Sequence, residues 1–497
     1  MSRLFQDGVV EAGLDRPRTF RTFAKNFGSL YGANMTAKVA NVALVIVAAR
    51  YLGVEEFGRF SFIISLVALF LTFTDFGINF YVIREVARRR ERTQQFVGNA
   101  LVVKLFLALT AVILINALAK VVGLSHNEII GLRVACLGLI FDTFIQQFYA
   151  GFRGHERMEY ESLCFTVETL ITASLGIVSV VLWRNLVYLL WAYVIAKGIN
   201  LTLTYLLYSR RIGSVRLFVD LGFWKKLVLS ALPFALNTVF GLVAFRLDVI
   251  LLRLLREPYY VGIYRSALSI AVTVSIFAYM YQAAIYPILS RLFIESGVRL
   301  RQAVERSLGV LYLAALAAAI PLFWFASPVV RLLFGDEYAA SATILRILVL
   351  MLPFKFVDQV LGITLDSINK QNIRPFIAGT AIAVNAALNL LLIHFLAARG
   401  AAVATVLTEL TVSALYLRFV LRHLGWLSVG STLLKGVVAA VASSPAMVLL
   451  GSLNVFAGVA GGLTIYCLAL FLTRTHEDLG LELALPGVWP AKRATGS

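Results

Sequence analysis

Six of the 45 Lys and Arg residues interrupt long apolar runs: Lys38, Lys104, Lys197, Arg246, Arg265 and Lys355. A charge at the centre of a membrane helix costs about 2.5–3.5 kcal/mol on the insertion scale, so such residues face a wet cavity or a partner. Asn34, Lys38 and Asn41 are spaced i, i+4, i+7 and share one helix face. Lys38 is too deep in its run to reach the interface, which points to a cation lining a cavity. The structural alternative is a pair with an acid on a neighbouring helix, such as Asp75. Arg246, Asp248 and Arg265 form a second group. Arg can grip phosphate through two parallel N–H bonds, which Lys cannot. Arg246 and Asp248 are two residues apart and point to different faces. Both arginines are also close enough to the interface to snorkel, which is the competing explanation.

Acids inside apolar runs are fewer. Asp75 and Asn79 lie one helical turn apart, while Glu168, Lys197 and Glu409 stand isolated in their runs. Asp75, Asp142, Asp248 and Asp358 are each suited to a coupling proton or sodium ion or to a structural network, and the pattern does not choose between these. No GxxxxGK[ST], HExxH or GxSxG pattern is present. Neither P-loop ATP hydrolysis nor zinc or serine hydrolase chemistry is expected, and no metal or organic cofactor.

These residues need helices to position them, and the composition says in what solvent. The 497 residues are 60% hydrophobic and 14% charged. Soluble domains carry about 25% charged residues, so the chain reads as a membrane protein. Cys136, Cys164 and Cys467 all sit in apolar runs and pair with no motif. Apolar runs predict 14 spans, near 27–49, 59–83, 97–119, 128–152, 160–183, 186–208, 227–252, 260–289, 305–326, 341–366, 374–396, 400–421, 433–451 and 453–473. Taking the termini and every second loop gives about 29 Lys and Arg, against about 10 on the opposite side. Both termini are therefore expected in the cytoplasm. The net charge of +18 belongs to this asymmetry rather than to nucleic acid. Pro233, Pro287, Pro321 and Pro353 lie in or beside helices as kinks or hinges.

A repeat organises the spans. Residues 132–147 align without gaps on 345–360, placing Leu132-Arg133 on Leu345-Arg346, Phe141 on Phe354, Gln146 on Gln359 and Asp142 on Lys355. Spans 1–6 and 7–12 read as two copies of one six-helix unit in parallel orientation, with spans 13 and 14 added. The Asp142/Lys355 exchange suggests a lobe-bridging pair, a pair of wall charges or a structural network. The expected divisions are a tail (1–26), an N-lobe (27–210), a linker (211–226), a C-lobe (227–425), spans 13–14 (426–473) and a C-terminal tail (474–497).

Over roughly residues 22–425 the chain resembles the Wzx-type oligosaccharide flippases of the multidrug/oligosaccharidyl-lipid/polysaccharide exporter superfamily. The resemblance rests on Ala49-Arg50-Tyr51-Leu52-Gly53-Val54-Glu55-Glu56-Phe57-Gly58, Thr74-Asp75-Phe76-Gly77-Ile78-Asn79 and Val82-Ile83-Arg84-Glu85-Val86-Ala87-Arg88. The second copy adds Leu232-Pro233, Arg246-Leu247-Asp248, Val261-Gly262-Ile263-Tyr264, Phe334-Gly335-Asp336-Glu337-Tyr338, Asn385, Asn389 and Arg399-Gly400-Ala401-Ala402. It implies two six-helix lobes set in a V, in the cytoplasmic (inner) membrane of a bacterium or archaeon. It also implies transfer of a polyprenyl-pyrophosphate-linked glycan to the outer leaflet, without enzymatic chemistry. Lys38, Asn34, Asn41, Arg246 and Arg265 would then meet pyrophosphate and sugars, and tyrosines around span 8 would stack on sugars where they do not form an interface belt. Partners would be the lipid-linked glycan, membrane lipids, and a polysaccharide polymerase with its chain-length proteins. The alternatives are a multidrug or cation extruder of the same superfamily, disfavoured by cations within the spans, and a membrane glycosyltransferase or polymerase, disfavoured by short loops.

Overall fold

Inside hydrocarbon an uninterrupted apolar run satisfies its own N–H and C=O groups only as a helix. The computed structural model describes the backbone of residues 16–220, 222–224, 227 and 246–479, with most side chains from residue 39 onward. Among the described residues there is no strand, and nine helices are long and apolar enough to cross a membrane. Two of the nine each hold two spans. The run Arg16–Asp75 contains span 1 and most of span 2, and bends at Gly53 (φ 77°, ψ 172°). The run Ile373–Leu424 contains spans 11 and 12, and breaks at Ala397 (φ 47°, ψ −126°). Single-residue breaks thus replace the short loops expected there. At the second break Gly400 lets the chain fold tightly on itself: a Cβ there would lie 2.2 Å from the Leu392 carbonyl oxygen.

Three other spans depart from simple rods. Span 2 stops at Asp75 and resumes as Ile78–Arg88 after Phe76 and Gly77, both at positive φ. Asp75 accepts the Asn79 N–H (3.3 Å) across this break, capping the second piece. Span 10 is divided into Ser341–Leu348, a tight turn Val349–Met351 and Leu352–Ser367, with Pro353 in the first turn of the last piece, where a missing N–H does no harm. Span 8, Pro258–Glu295, carries Pro287 inside it. Of span 7, residues 246–255 are described and helical; Pro233 lies outside the described residues.

Spans 1 to 6 pack on one another, and so do spans 8 to 12. Spans 13 and 14 pair with each other and lean on span 9 around a small core of Ile320, Phe325, Ala439, Met447 and Tyr466. The outer faces show Ile113, Leu182, Val441, Phe456 and Leu472 to the surroundings, an apolar girdle that suits lipid and not water. Among the described residues the Arg16–Asp75 run and span 8 form the principal contact between the two lobes, with the closest approach just past the Gly53 bend. They touch backbone to backbone: a Cβ on Gly58 would lie 1.9 Å from the Pro258 carbonyl oxygen, and one on Gly262 would lie 2.1 Å from that of Val54.

Candidate functional site

In the N-lobe the buried charges meet each other. Lys104 is buried and donates to Asp75 Oδ1 and to Asn79 Oδ1, both at 2.7 Å. Asp75 therefore takes a cation from Lys104 of span 3. Asn34 and Lys38 lie outside the residues whose side chains are described. Lys197 of span 6 donates to Asp142 of span 4 (2.8 Å) and to Glu168 of span 5 (3.0 Å). Glu168 also accepts the Asn200 amide. Lys197 and Glu168 are thus not isolated: helices leaning together bring them into one network, which lines a cavity of about 400 Å³ with Asn41, Thr172 and Tyr193.

The C-lobe repeats the arrangement with the signs exchanged. Lys355 of span 10 donates to Glu409 of span 12 (2.6 Å). The pair Asp142–Lys197 links spans 4 and 6, and Lys355–Glu409 links their repeat equivalents. Neither bridges the lobes; each is a partner for a charge that would otherwise be buried alone. Asp358, one turn along span 10, accepts the Ser413 hydroxyl at 2.5 Å beside this pair.

Asp248 is different. Its carboxylate accepts from Tyr264 Oη (2.7 Å), Thr405 Oγ1 (2.9 Å) and Asn389 Nδ2 (2.8 Å), all neutral donors, and among the described residues no cation contacts it. Asn389 is itself braced by Asn385. Asp248 borders a cavity of about 270 Å³ with Ser275, Asn385, Thr405, Lys355 and Glu409.

Between the lobes lies a third cavity, of about 470 Å³. Asn41, Val42, Val45 and Ile46 of span 1 line one side, and Arg265, Ser269, Thr273, Ile276 and Tyr279 of span 8 the other. No acid lines it among the described residues. Arg265 makes no hydrogen bond or ion pair among the described residues, so its guanidinium is available to the cavity. Arg246 Nη1 reaches Ser65 Oγ at 3.4 Å. Arg246 thus faces span 2, while Asp248 turns into the C-lobe.

Above this cavity one end of the molecule is shut. Arg253 of span 7 grips Glu128 of span 4 through three N–H···O contacts of 2.8–3.0 Å. Glu128 is 1% exposed and also completes a capping box with Ser125. Tyr338 donates to the Ala49 carbonyl (2.9 Å), Arg50 to that of Leu332 (2.6 Å), and the Gly58–Gly262 contact lies beside them. Sequence reasoning missed Glu128 and Arg253. The Ser-x-x-Glu pattern was visible, but it reads as a helix start, and nothing local shows that the same carboxylate reaches another lobe.

Comparison with known proteins places this arrangement. Residues 23–293 match the family described as polysaccharide biosynthesis protein, and residues 233–391 match the family MatE. The chain is 23% identical over 234 residues to the probable low-salt glycan biosynthesis flippase Agl15 of Haloferax volcanii, a match over 44% of this chain and 48% of that protein. The match spans about half the length of that relative. The lipid II flippase MurJ in an inward closed conformation superposes with a TM-score of 0.75 at 12% identity, over 90% of this chain and 99% of that one. An inward-facing multidrug resistance transporter of the MATE family gives 0.65 at 16% identity, over 78% and 94%. At these identities the two structures speak for the fold alone.

Proposed function

Since the chain belongs to the polysaccharide biosynthesis protein family, within the multidrug/oligosaccharidyl-lipid/polysaccharide exporter superfamily, we propose that it is a flippase for a polyprenyl-pyrophosphate-linked oligosaccharide. It carries the head group from the inner to the outer leaflet of the cytoplasmic membrane by alternating access, for a polymerase and its chain-length proteins to use there. The observation that carries this reading is the interlobe cavity, where Arg265 meets no acid among the described residues. A cavity for cationic drugs needs the opposite polarity. A pyrophosphate crossing bare hydrocarbon meets a prohibitive desolvation cost, and the Arg265 guanidinium replaces part of its water. The polyprenyl tail stays in the bilayer beside the lobes.

The sealed end holds Arg50, Glu128 and Arg253, on the side with fewer cations, so it is taken as the outer face. The cavity then receives substrate from the inner leaflet. An inside-negative potential favours outward movement of an anion by about 2.3 kcal/mol per charge per 100 mV. Asp248 is the acid placed to carry a coupling proton or sodium ion, because only neutral donors hold it.

The test is translocation of undecaprenyl-pyrophosphate oligosaccharide between the leaflets of proteoliposomes. Wild type should move it, Arg265→Ala and Lys38→Ala should not, and Asp248→Asn should lose any response to an imposed sodium or proton gradient. Translocation unchanged by Arg265→Ala would overturn the site, and none by wild type would overturn the function.

A further inference from the structure

Span 8 presents more to the cavity than its arginine. Its tyrosines divide into two kinds. Tyr264 spends its hydroxyl on Asp248 and Thr405, and Tyr281 donates to Ser307 at 3.0 Å. Tyr279 and Tyr286 are 46% and 44% exposed, and among the described residues neither hydroxyl makes a hydrogen bond. The Gln282 amide between them makes none either. A cavity of about 470 Å³ opens against them, lined by Tyr279, Gln282, Ala283, Tyr286, Ile363 and Asp366. That volume is in the ~300–1,000 Å³ range of small-molecule sites.

Positions 265, 279 and 286 are separated by two multiples of seven and share one helix face. Along the axis, Tyr279 lies about 21 Å from Arg265 and Tyr286 about 10 Å further. One helix face thus offers a cation at one end and two partly open aromatic rings at the other. Gln282 and the Asp366 carboxylate, whose Oδ2 already accepts from Arg374 Nη1 at 2.5 Å, add hydrogen-bonding groups beside the rings. Sugars have apolar C–H faces, which pack on aromatic rings, and a rim of hydroxyls, which need donors and acceptors in the plane. An interface belt would place its tyrosines at a span end, as Tyr259 and Tyr260 stand in the first turn of this helix. Tyr279 is instead in mid-span and borders the interlobe cavity as well.

We propose that Tyr279 and Tyr286, with Gln282 and Asp366, form a saccharide subsite on the C-lobe wall. It holds the sugars furthest from the lipid while Arg265 holds the charged linkage, so it selects for glycan length. The inference rests on the flippase reading above.

The test uses the full chain in proteoliposomes and two separate probes, undecaprenyl pyrophosphate bearing either one or three N-acetylglucosamine units. In Tyr279→Ala and Tyr286→Ala the trisaccharide-to-monosaccharide rate ratio should fall about tenfold, equivalent to ~1.4 kcal/mol. The Phe variants keep the ring and should lose less. A ratio unchanged in folded alanine variants would overturn the subsite. Where those variants do not fold, Gln282→Ala decides by the same ratio, since it removes no ring. Should wild type move neither lipid, the flippase reading fails, and saturation-transfer NMR with free tri-N-acetylglucosamine judges the subsite alone. Ring contacts seen in wild type and lost in the double alanine variant support it, whereas equal signals or none overturn it.

Discussion

The two lobes treat buried charge differently. In the N-lobe, Asp75, Asp142 and Glu168 each contact a lysine. Among the described C-lobe residues Glu409 contacts a lysine and Asp366 an arginine, but Asp248 rests on neutral donors and Arg265 faces the cavity with no acid. Neutralised pairs deep in a bundle fix helix positions. Uncompensated charges in the same setting are costly and persist where a ligand supplies the counter-charge. On the proposed reading, the N-lobe pairs serve as frame and Asp248 and Arg265 of the C-lobe are the groups offered to ligands.

This contrast can be broken most forcefully at Lys104. Lys104→Met leaves Asp75 without its cation, and the loss should approach the ~3–5 kcal/mol seen for broken buried pairs. Thermal unfolding in detergent reads it; a melting point within a degree or two of wild type would place Asp75 in a wetter site than described. Next in size is the seal. Arg253→Gln strips buried Glu128 of its charged partner and should cost the sealed form about 2 kcal/mol, within the range for hydrogen bonds to charged groups. A membrane-impermeant maleimide on a cysteine at residue 49 should then label faster, and combining Glu128→Arg with Arg253→Glu should slow it again. The repeat supplies a sharper test. Because Lys355–Glu409 already uses the reversed order, Asp142→Lys combined with Lys197→Glu should recover more than half of the stability that either change removes alone, as a double-mutant cycle shows.

Arg265→Ala should scarcely move the melting point, within about 1 kcal/mol, because no described pair is lost. Lipid pyrophosphate binding should nevertheless weaken at least tenfold, and a large stability loss would instead make Arg265 structural. The smallest effect concerns His155, in the connection after span 4, whose ring nitrogen meets Thr93 Oγ1 at 2.9 Å. Burial, then Arg90 and Arg157, hold its imidazole below the ordinary value. A depressed folded value means that the neutral ring's contribution is complete above the ordinary histidine range and is lost as pH falls through the folded value. His155→Gln should flatten a shallow acid-side decline in stability measured from pH 7 to 5.

Much of the fold could be read from the chain because span length and apolar content are one-dimensional signals. The exchange of Asp142 for Lys355 was visible in the repeat, yet their partners were not. Depth along a helix follows from counting residues, whereas the direction of a side chain around the bundle depends on packing. Hence the contact of Lys104 on span 3 with Asp75 is not visible in the spacing of either residue. The repeat did hold a usable hint: the offset that lays Asp142 on Lys355 lays Lys197 one residue from Glu409. The single-residue breaks at Gly53 and Ala397 were hidden for another reason, since the flanking sequence is as good a helix as a loop.

The glycine contact between the start of span 2 and span 8 has a consequence for the energy of the cell. A polar hollow wide enough for a glycan is also wide enough for a file of water, and such a file would short-circuit the proton gradient. At Gly58 and Gly262 the two backbones meet with no room even for a methyl group. Beside them, Val54, Phe57 and Val261 are buried, which dries the surroundings. On the proposed reading, the plug is insulation: with the hollow open to one side, the membrane would remain a charged capacitor.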